Sequence, residues 1–445
     1  MEFRFLNMNR KRKTLLVACW AFVVTANAQQ SNRLTMGEAV NIAVENNANI
    51  KLSELDRKIS NANYHQTDAI FLPQVSVSYN AMVTNNPLNA FGFLLQQSRV
   101  TAQDFDPSRL NHPGASRNYN AGVEVKMPLL NVDRIFARKG AKLQEEVYKN
   151  KEQYTKDYIR FEVQKAYTQL QFAYQARDIL THTLEDVRRI YQSVKNFYDQ
   201  GLVQKSDVLN AQVQVNTVES ALAKAESSVI NASDGLKLLM GGSSSETNVY
   251  IPDSLIQKTP TISAPAFSET RSDVVAMQKA LEASKMMVKS SYTTFLPTIN
   301  AFGTYQFNDT QIFKFKEDSY LAGISLSWNL FSGNRNRSKL RSALMQRDKM
   351  QKELELHIDK SRIEVDKTTR DLLDLQFEIR KQEASVEQAT EALRILTDRH
   401  KEGLASTTDL LLSQAQLSQQ RLTLAQAVMA YNIAGYYQEL LTTNK

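Results

Sequence analysis

The stretch Tyr198-Asp199-Gln200-Gly201-Leu202-Val203-Gln204-Lys205-Ser206-Asp207-Val208-Leu209-Asn210-Ala211-Gln212 returns 202 residues later as His400-Lys401-Glu402-Gly403-Leu404-Ala405-Ser406-Thr407-Thr408-Asp409-Leu410-Leu411-Leu412-Ser413-Gln414. Glycine, aspartate, leucine and glutamine keep their places, and an internal duplication is the simplest cause. Outward from this segment, Phe71-Leu72-Pro73 recurs as Phe295-Leu296-Pro297, and the alternating run Val123 to Leu129 matches Ile324 to Leu330. Both halves therefore pass through the same order of elements.

Neither Gly nor Pro occurs between Gly140 and Gly201, or between Gly333 and Gly403. These residues are the ordinary punctuation of helices, so each stretch is expected to form one long helix. From Asp133 to Asp199 such a helix would be about 100 Å long at the standard rise. Leu184, Val187, Tyr191, Val194 and Tyr198 step by three and four, the spacing of a coiled-coil seam, and the chain after each glycine repeats it. Two long helical hairpins follow, over 131–240 and 333–441. Shorter helices are expected over 35–70, opened by the capping box Thr35-Met36-Gly37-Glu38, and over 271–294.

Four stretches alternate instead with period two: about 74–84, 118–129, 298–308 and 319–330. In the first, Val75, Val77, Tyr79, Ala81 and Val83 oppose Gln74, Ser76, Ser78 and Asn80. In the second, Tyr119 through Leu129 at alternate positions oppose Asn120, Glu124 and Lys126. Each has roughly the length that a tilted strand needs to cross a bilayer. A half-buried soluble sheet would alternate in the same way. The aromatics Phe71, Phe295, Trp328 and Phe331 near one end, and tyrosines near the other, favour the girdles of a barrel, with Val125, Leu326 and Trp328 facing lipid and Lys126 facing water. An open sheet edge is not tolerated in a bilayer, so four strands force oligomerisation. The expected fold class is mainly α with a transmembrane β-barrel portion built from strands of several chains.

The amino terminus adds a destination. Arg4, Arg10, Lys11, Arg12 and Lys13 precede an apolar run that ends in Ala26-Asn27-Ala28, the form of a secretory signal cleaved after Ala28. Leu16-Val17-Ala18-Cys19 also matches a lipobox, which would lipidate Cys19; the apolar run continuing through Val24 favours ordinary cleavage. Cys19 is the only cysteine, so a chain cut after Ala28 carries no disulfide. Removing residues 1–28 takes away five Lys/Arg and one Glu, which leaves 49 basic and 46 acidic residues. Their signs alternate along the helices, which offers no patch for nucleic acid. The expected organisation is a signal (1–28), a first repeat (29–240), a Gly-, Ser- and Pro-rich linker (241–269) and a second repeat (270–445).

Sites for chemistry are absent from the sequence. No G-x-x-x-x-G-K-[ST] loop or G-x-S-x-G elbow occurs, and His65, His112, His182, His357 and His400 lack metal-ligand spacing, so they are expected on helix surfaces or in loops. Met286-Met287 reads as packing rather than as a metal site. Neither an enzyme nor a cofactor is expected.

The export signal, the FLP before each first strand and the Y/H-x-x-G-x-x-x-x-x-D-L/V-L-x-x-Q turn in both halves resemble the TolC-like outer-membrane efflux proteins, the outer membrane factors of tripartite efflux and type I secretion systems. The resemblance covers nearly the whole chain after the signal. It implies a homotrimer with a shared twelve-stranded barrel in outer-membrane lipid and a periplasmic tunnel of helices, docked to a periplasmic adaptor (membrane fusion) protein and an inner-membrane pump. It also implies that the hairpin turns, with Tyr198, Gly201, His400 and Gly403, form the inner mouth of the channel, and that Asp207 and Asp409 narrow it. An aspartate in the first turn of a helix is equally explained by capping and the helix dipole. Two departures stand out: His400 replaces the aromatic kept at Tyr198, and Leu412 stands where some members place a second aspartate. The expected function is a passive exit duct for small molecules; an exit duct for type I protein secretion, or a periplasmic coiled-coil scaffold without a pore, are the alternatives.

Overall fold

The computed structural model describes residues 33–243, 249–258 and 267–442; the signal segment and Cys19 lie outside them. Helix α1 (Met36–Asn46) opens with the expected capping box, in which Thr35 Oγ1 accepts from the Glu38 N–H and the Glu38 carboxylate accepts from the Thr35 N–H at 2.9 Å. The single helix expected over 35–70 is in fact broken. Asn47 takes ψ 131°, and its side chain donates to Leu239 O at 2.7 Å, so α2 (Ala48–Gln66) starts afresh. Then come strand β1 (Gln74–Thr84), two short helices α3 (Pro87–Gln96) and α4 (Pro107–Asn111), and strand β2 (Ser116–Leu130). The first long hairpin is α5 (Val132–Asp199) and α6 (Lys205–Leu239). Helix α7 (Ser272–Thr293), strands β3 (Thr298–Asp309) and β4 (Glu317–Ser327), and a second hairpin of α8 (Arg335–Lys401) and α9 (Thr407–Thr442) repeat the order.

The chain divides into two compact units, each drawing on both halves. Among the described residues, one holds 33–48, 158–243, 249–258 and 368–440; the other holds 49–157, 267–367, 441 and 442. In the first unit, Leu184, Val187, Ala211, Val215, Val218 and Leu411 form a core where the spacing of three and four brings α5, α6 and α9 together. Phe161, Tyr436 and Leu440 form a second core. The segment expected to be a plain linker is tied to this unit. Tyr167 Oη donates to Leu34 O at 2.7 Å and accepts from the Asp253 N–H at 3.0 Å, while Asn432 bonds both the Lys258 N–H and Ile256 O at 2.9 Å. Extended backbone without a ladder needs such partners for its polar groups. Burial pushes the Tyr167 hydroxyl up to about 12, which keeps it a neutral donor.

The second unit carries the sheet, antiparallel in the order β1-β2-β3-β4. Its register settles the faces. Val75, Val77 and Tyr79 lie opposite Val125, Val123 and Ala121; these lie opposite Gly303, Tyr305 and Phe307; and Gly303 and Tyr305 lie opposite Ala322 and Tyr320. Because side chains alternate along a strand, the apolar sets of all four strands share one face, and Ser76, Glu124, Thr304 and Leu321 share the other. The polar face has one tight packing point, where the Phe302 ring stands so close to Gly323 that an added Cβ would meet it at 3.0 Å.

Two expectations about strand ends fail. The second strand does not alternate through Leu129: a bulge after Pro128, which has no N–H to give the ladder, puts Leu130 opposite Ile299. The fourth strand does not reach residue 330. Thr298, the first residue of β3, pairs with Ser327, and Pro297 before it cannot extend the ladder. Trp328 therefore stands one residue beyond β4, its indole donating to Phe295 O at 3.0 Å.

Candidate functional site

Two places in the chain carry the features expected of a channel: the hairpin tips and the sheet. At the first tip Gly201 has φ +77°, its N–H bonds Tyr198 O at 2.8 Å and the Leu202 N–H bonds Phe197 O at 2.9 Å. At the second, Gly403 has φ +72°, with matching bonds to His400 O at 3.0 Å and from Leu404 to Arg399 O at 2.8 Å. Both are Schellman caps, which satisfy the last carbonyls of the long helices and use a left-handed residue that glycine supplies without a Cβ penalty.

Asp207 and Asp409 each occupy the third position of the returning helix. Asp207 accepts from the Gln204 N–H at 3.0 Å; Asp409 accepts from Ser406 Oγ at 2.7 Å, while its own N–H donates to that oxygen at 3.1 Å. The Asp207 carboxylate thus caps its helix, whereas at the second tip the Ser406 hydroxyl is the cap and the Asp409 carboxylate holds that hydroxyl in place. The tips also touch each other, since the Phe197 ring lies 5.7 Å from the His400 ring. Here the duplication has diverged. Tyr198 is exposed, whereas His400 is buried at 6% exposure, with Nε2 3.3 Å from Thr407 Oγ1. That corrects the surface or loop position expected for His400. Burial holds its pKa below the ordinary value and favours the neutral ring.

At the sheet, Val125 lies on the apolar face opposite Val75, and Leu326 lies on the same face opposite Ile299. Lys126 belongs to the polar face and pairs with Glu124 at 2.8 Å. The polar face is closed at the far end by α3. Gln97, just after that helix, donates to Arg117 O at 2.8 Å and to Asn118 at 3.0 Å, and Asn118 donates to Asn308 at 2.9 Å. The outer loop thus folds back over the polar side. No helix among the described residues is long and apolar enough to cross a membrane.

A buried ionic cluster in the second unit had no signature in the sequence. Arg271 bonds Asp273 at 2.6 Å and Ser361 at 2.8 Å, and His357 Nε2, from a half-exposed position on α8, lies 2.7 Å from the same carboxylate. Burial alone would push the Asp273 carboxyl up, but the bonds from Arg271 and His357 outweigh it and hold it below the usual range.

A four-stranded sheet with one apolar face and two open edges, continued by paired helices that turn back at matched glycine caps, defines an outer-membrane channel-tunnel subunit. The sequence matches the family described as "Outer membrane efflux protein" over residues 39–242 and 267–435, and the chain belongs to that family. No curated protein shows significant sequence similarity to it. Among solved structures it is similar in fold to the outer membrane protein VceC of Vibrio cholerae, with a TM-score of 0.78 at 17% identity, covering 92% of this chain and 96% of that one. The Campylobacter jejuni CmeC outer membrane channel gives 0.79 at 15% identity, covering 92% and 85%. The open state of the Neisseria gonorrhoeae MtrE outer membrane channel gives 0.75 at 18% identity, covering 91% and 88%.

Proposed function

We propose that three copies of this chain close one twelve-stranded barrel in the outer membrane and form a passive exit duct for small molecules, served by a periplasmic adaptor and an inner-membrane pump. The observation that carries this reading is the register, which gathers the apolar residues of four strands on one face while leaving the outer edges of β1 and β4 unpaired. Exposed backbone edges cannot remain open in hydrocarbon, and neighbouring copies satisfy them. The repeats 29–240 and 270–445 each supply one strand pair and one hairpin, joined through 241–269. Export removes residues 1–28; intact-mass measurement on the membrane fraction should find Gln29 at the amino terminus, and a lipid-modified Cys19 would overturn this part.

Tyr198, Gly201, His400 and Gly403 shape the inner mouth, and three copies each of Asp207 and Asp409 ring it. Carboxylates around a narrow axis hold cations, and low-dielectric walls strengthen their field. Planar-bilayer recordings test both levels. Wild-type protein should form cation-preferring pores that multivalent cations block, and Asp207→Asn/Asp409→Asn should weaken preference and block with conductance retained. No conductance from the correctly extracted oligomer would sink the duct, and unchanged selectivity in the double variant would leave the aspartates as parts of the helix caps alone.

A further inference from the structure

The sequence holds no acidic residue between Asp318 and Asp348, yet α8 begins inside that interval with Arg335, Arg337, Lys339 and Arg341. All four side chains are exposed, and none forms an ion pair among the described residues. Four cations in the first two turns of a helix stand at the wrong end of its dipole, where acids belong. The other end of α8 follows the rule, with Arg399, His400 and Lys401 in its last turn. A solvated surface explains exposed charge in general but not this placement, which local electrostatics opposes.

More cations gather at the same end of the sheet. Helix α5 starts two residues after β2 ends, and α7 finishes five residues before Thr298, the partner of Ser327 in β4. Lys139 of α5 and Lys289 of α7 both reach over the single ring of Phe136, at 5.5 and 6.0 Å from its centroid, and neither has an acidic partner among the described residues. Two unneutralised ammonium groups sharing one ring repel each other unless an anion lies between them. The neighbouring surface is apolar: Phe295, Trp328, Leu330 and Phe331 are all exposed just outside the strands. An apolar rim beside unpaired cations fits a bilayer boundary, where long basic side chains reach from hydrocarbon to headgroup phosphate.

We propose that Arg335, Arg337, Lys339, Arg341, Lys139 and Lys289 form a collar that binds the phosphates of anionic glycerophospholipids at the edge of the membrane. This rests on the outer-membrane reading above. The collar would select anionic over zwitterionic lipid and fix the depth at which the barrel sits. Headgroup phosphate, held against α8 by hydrogen bonds from the guanidinium groups, also supplies the negative charge that the start of this helix lacks.

Trp328 provides the probe, because Trp20 is the only other tryptophan. The exported chain, which has lost Trp20 with residues 1–28, would be reconstituted into vesicles containing brominated phosphatidylglycerol or brominated phosphatidylcholine, and quenching of Trp328 would give the relative binding of the two lipids. The expected result is a preference of about fivefold or more for phosphatidylglycerol. It should fall close to one in the Arg335→Gln/Arg337→Gln/Lys339→Gln/Arg341→Gln variant. Should that variant not assemble, wild-type protein in 1 M salt provides the same test, since a Debye length of about 3 Å should erase most of the preference. Strong quenching by both lipids without preference overturns the collar and leaves the membrane reading intact. No quenching by either lipid overturns both. A preference that survives charge removal or high salt also overturns the collar.

Discussion

At the residue scale, the repeat made the turn glycines and the aspartates legible, because two copies of a spacing distinguish signal from chance. Gly201 and Gly403 have positive φ and open space where a Cβ would stand, so a substitution there costs conformational energy rather than packing. Gly403→Val is expected to lower the opening free energy of the second tip by about 1–2 kcal/mol, read from hydrogen-exchange protection around the turn. Gly235→Ala, in α6 with no atom within 4 Å of the added Cβ, should leave the tips unchanged. The environment of His400 was not legible. Its burial depends on Phe197 arriving from the other tip and on the turn bringing Thr407 back over the ring, and no periodicity encodes either. Neither was the Arg271, Asp273 and His357 cluster, whose members are scattered over two segments. Since the folded pKa of His400 is lowered, its neutral form supports the fold above about pH 6.5, and that support is lost as pH falls from there through the lowered value. Limited proteolysis should therefore cut the second tip more readily at pH 5 than at pH 7.5, and His400→Phe should flatten the difference. Equal pH dependence in the variant would place the sensitive group elsewhere.

At the element scale, period-two alternation predicted which residues share a face, and the register places those residues opposite one another across three strand pairs. The failures came where a partner decides the matter. The bulge at Leu129 and the early end of β4 depend on what β3 can offer, and the break at Asn47 depends on an acceptor in α6. An eleven-residue β1, tilted by about 40°, spans roughly 28 Å, enough for an apolar band of about 25 Å. Val125 lies on the apolar face in the row of Gly303 and Ala322, midway along β3 and β4, whereas Leu326 is one residue from the end of β4. On the proposed lipid-facing reading a cation costs about 2–4 kcal/mol at mid-membrane and about 0–1 near the interface. Val125→Arg should therefore abolish accumulation of heat-stable, detergent-extractable protein in the outer membrane, and Leu326→Arg, at the strand end, should reduce it less. Lys126→Ser, on the polar face, should assemble normally. Similar mild effects from all three would contradict the assignment of lipid and lumen faces.

At the scale of the whole molecule, the single chain leaves a stripe of one of its two long helices uncovered. On α8, Leu356, Ile363, Leu373 and Phe377 are all more than half exposed and follow one another at intervals of seven, ten and four. These intervals sum steps of three and four, so the four side chains fall on one face, as the seam positions of a coiled coil do. The same chain buries Ile379 among Leu372, Leu375 and Tyr431, so α8 already uses a different face for its own partner α9. The bare stripe thus lacks a partner among the described residues of one copy, and a neighbouring copy that also pairs the open edges of β1 and β4 would cover it. Burying each of these side chains contributes about 2 kcal/mol, and every contact occurs three times in a closed trimer. Ile363→Gln/Leu373→Gln/Phe377→Gln should accordingly leave the helical circular-dichroism signal near wild type, because glutamine is a good helix former and the intrachain cores are untouched. Detergent-corrected light scattering should then report mostly one chain per micelle for the variant and three for the wild type. A variant that remains three chains per micelle would show that this stripe faces something other than a second copy, and would leave the sheet edges alone to hold the oligomer.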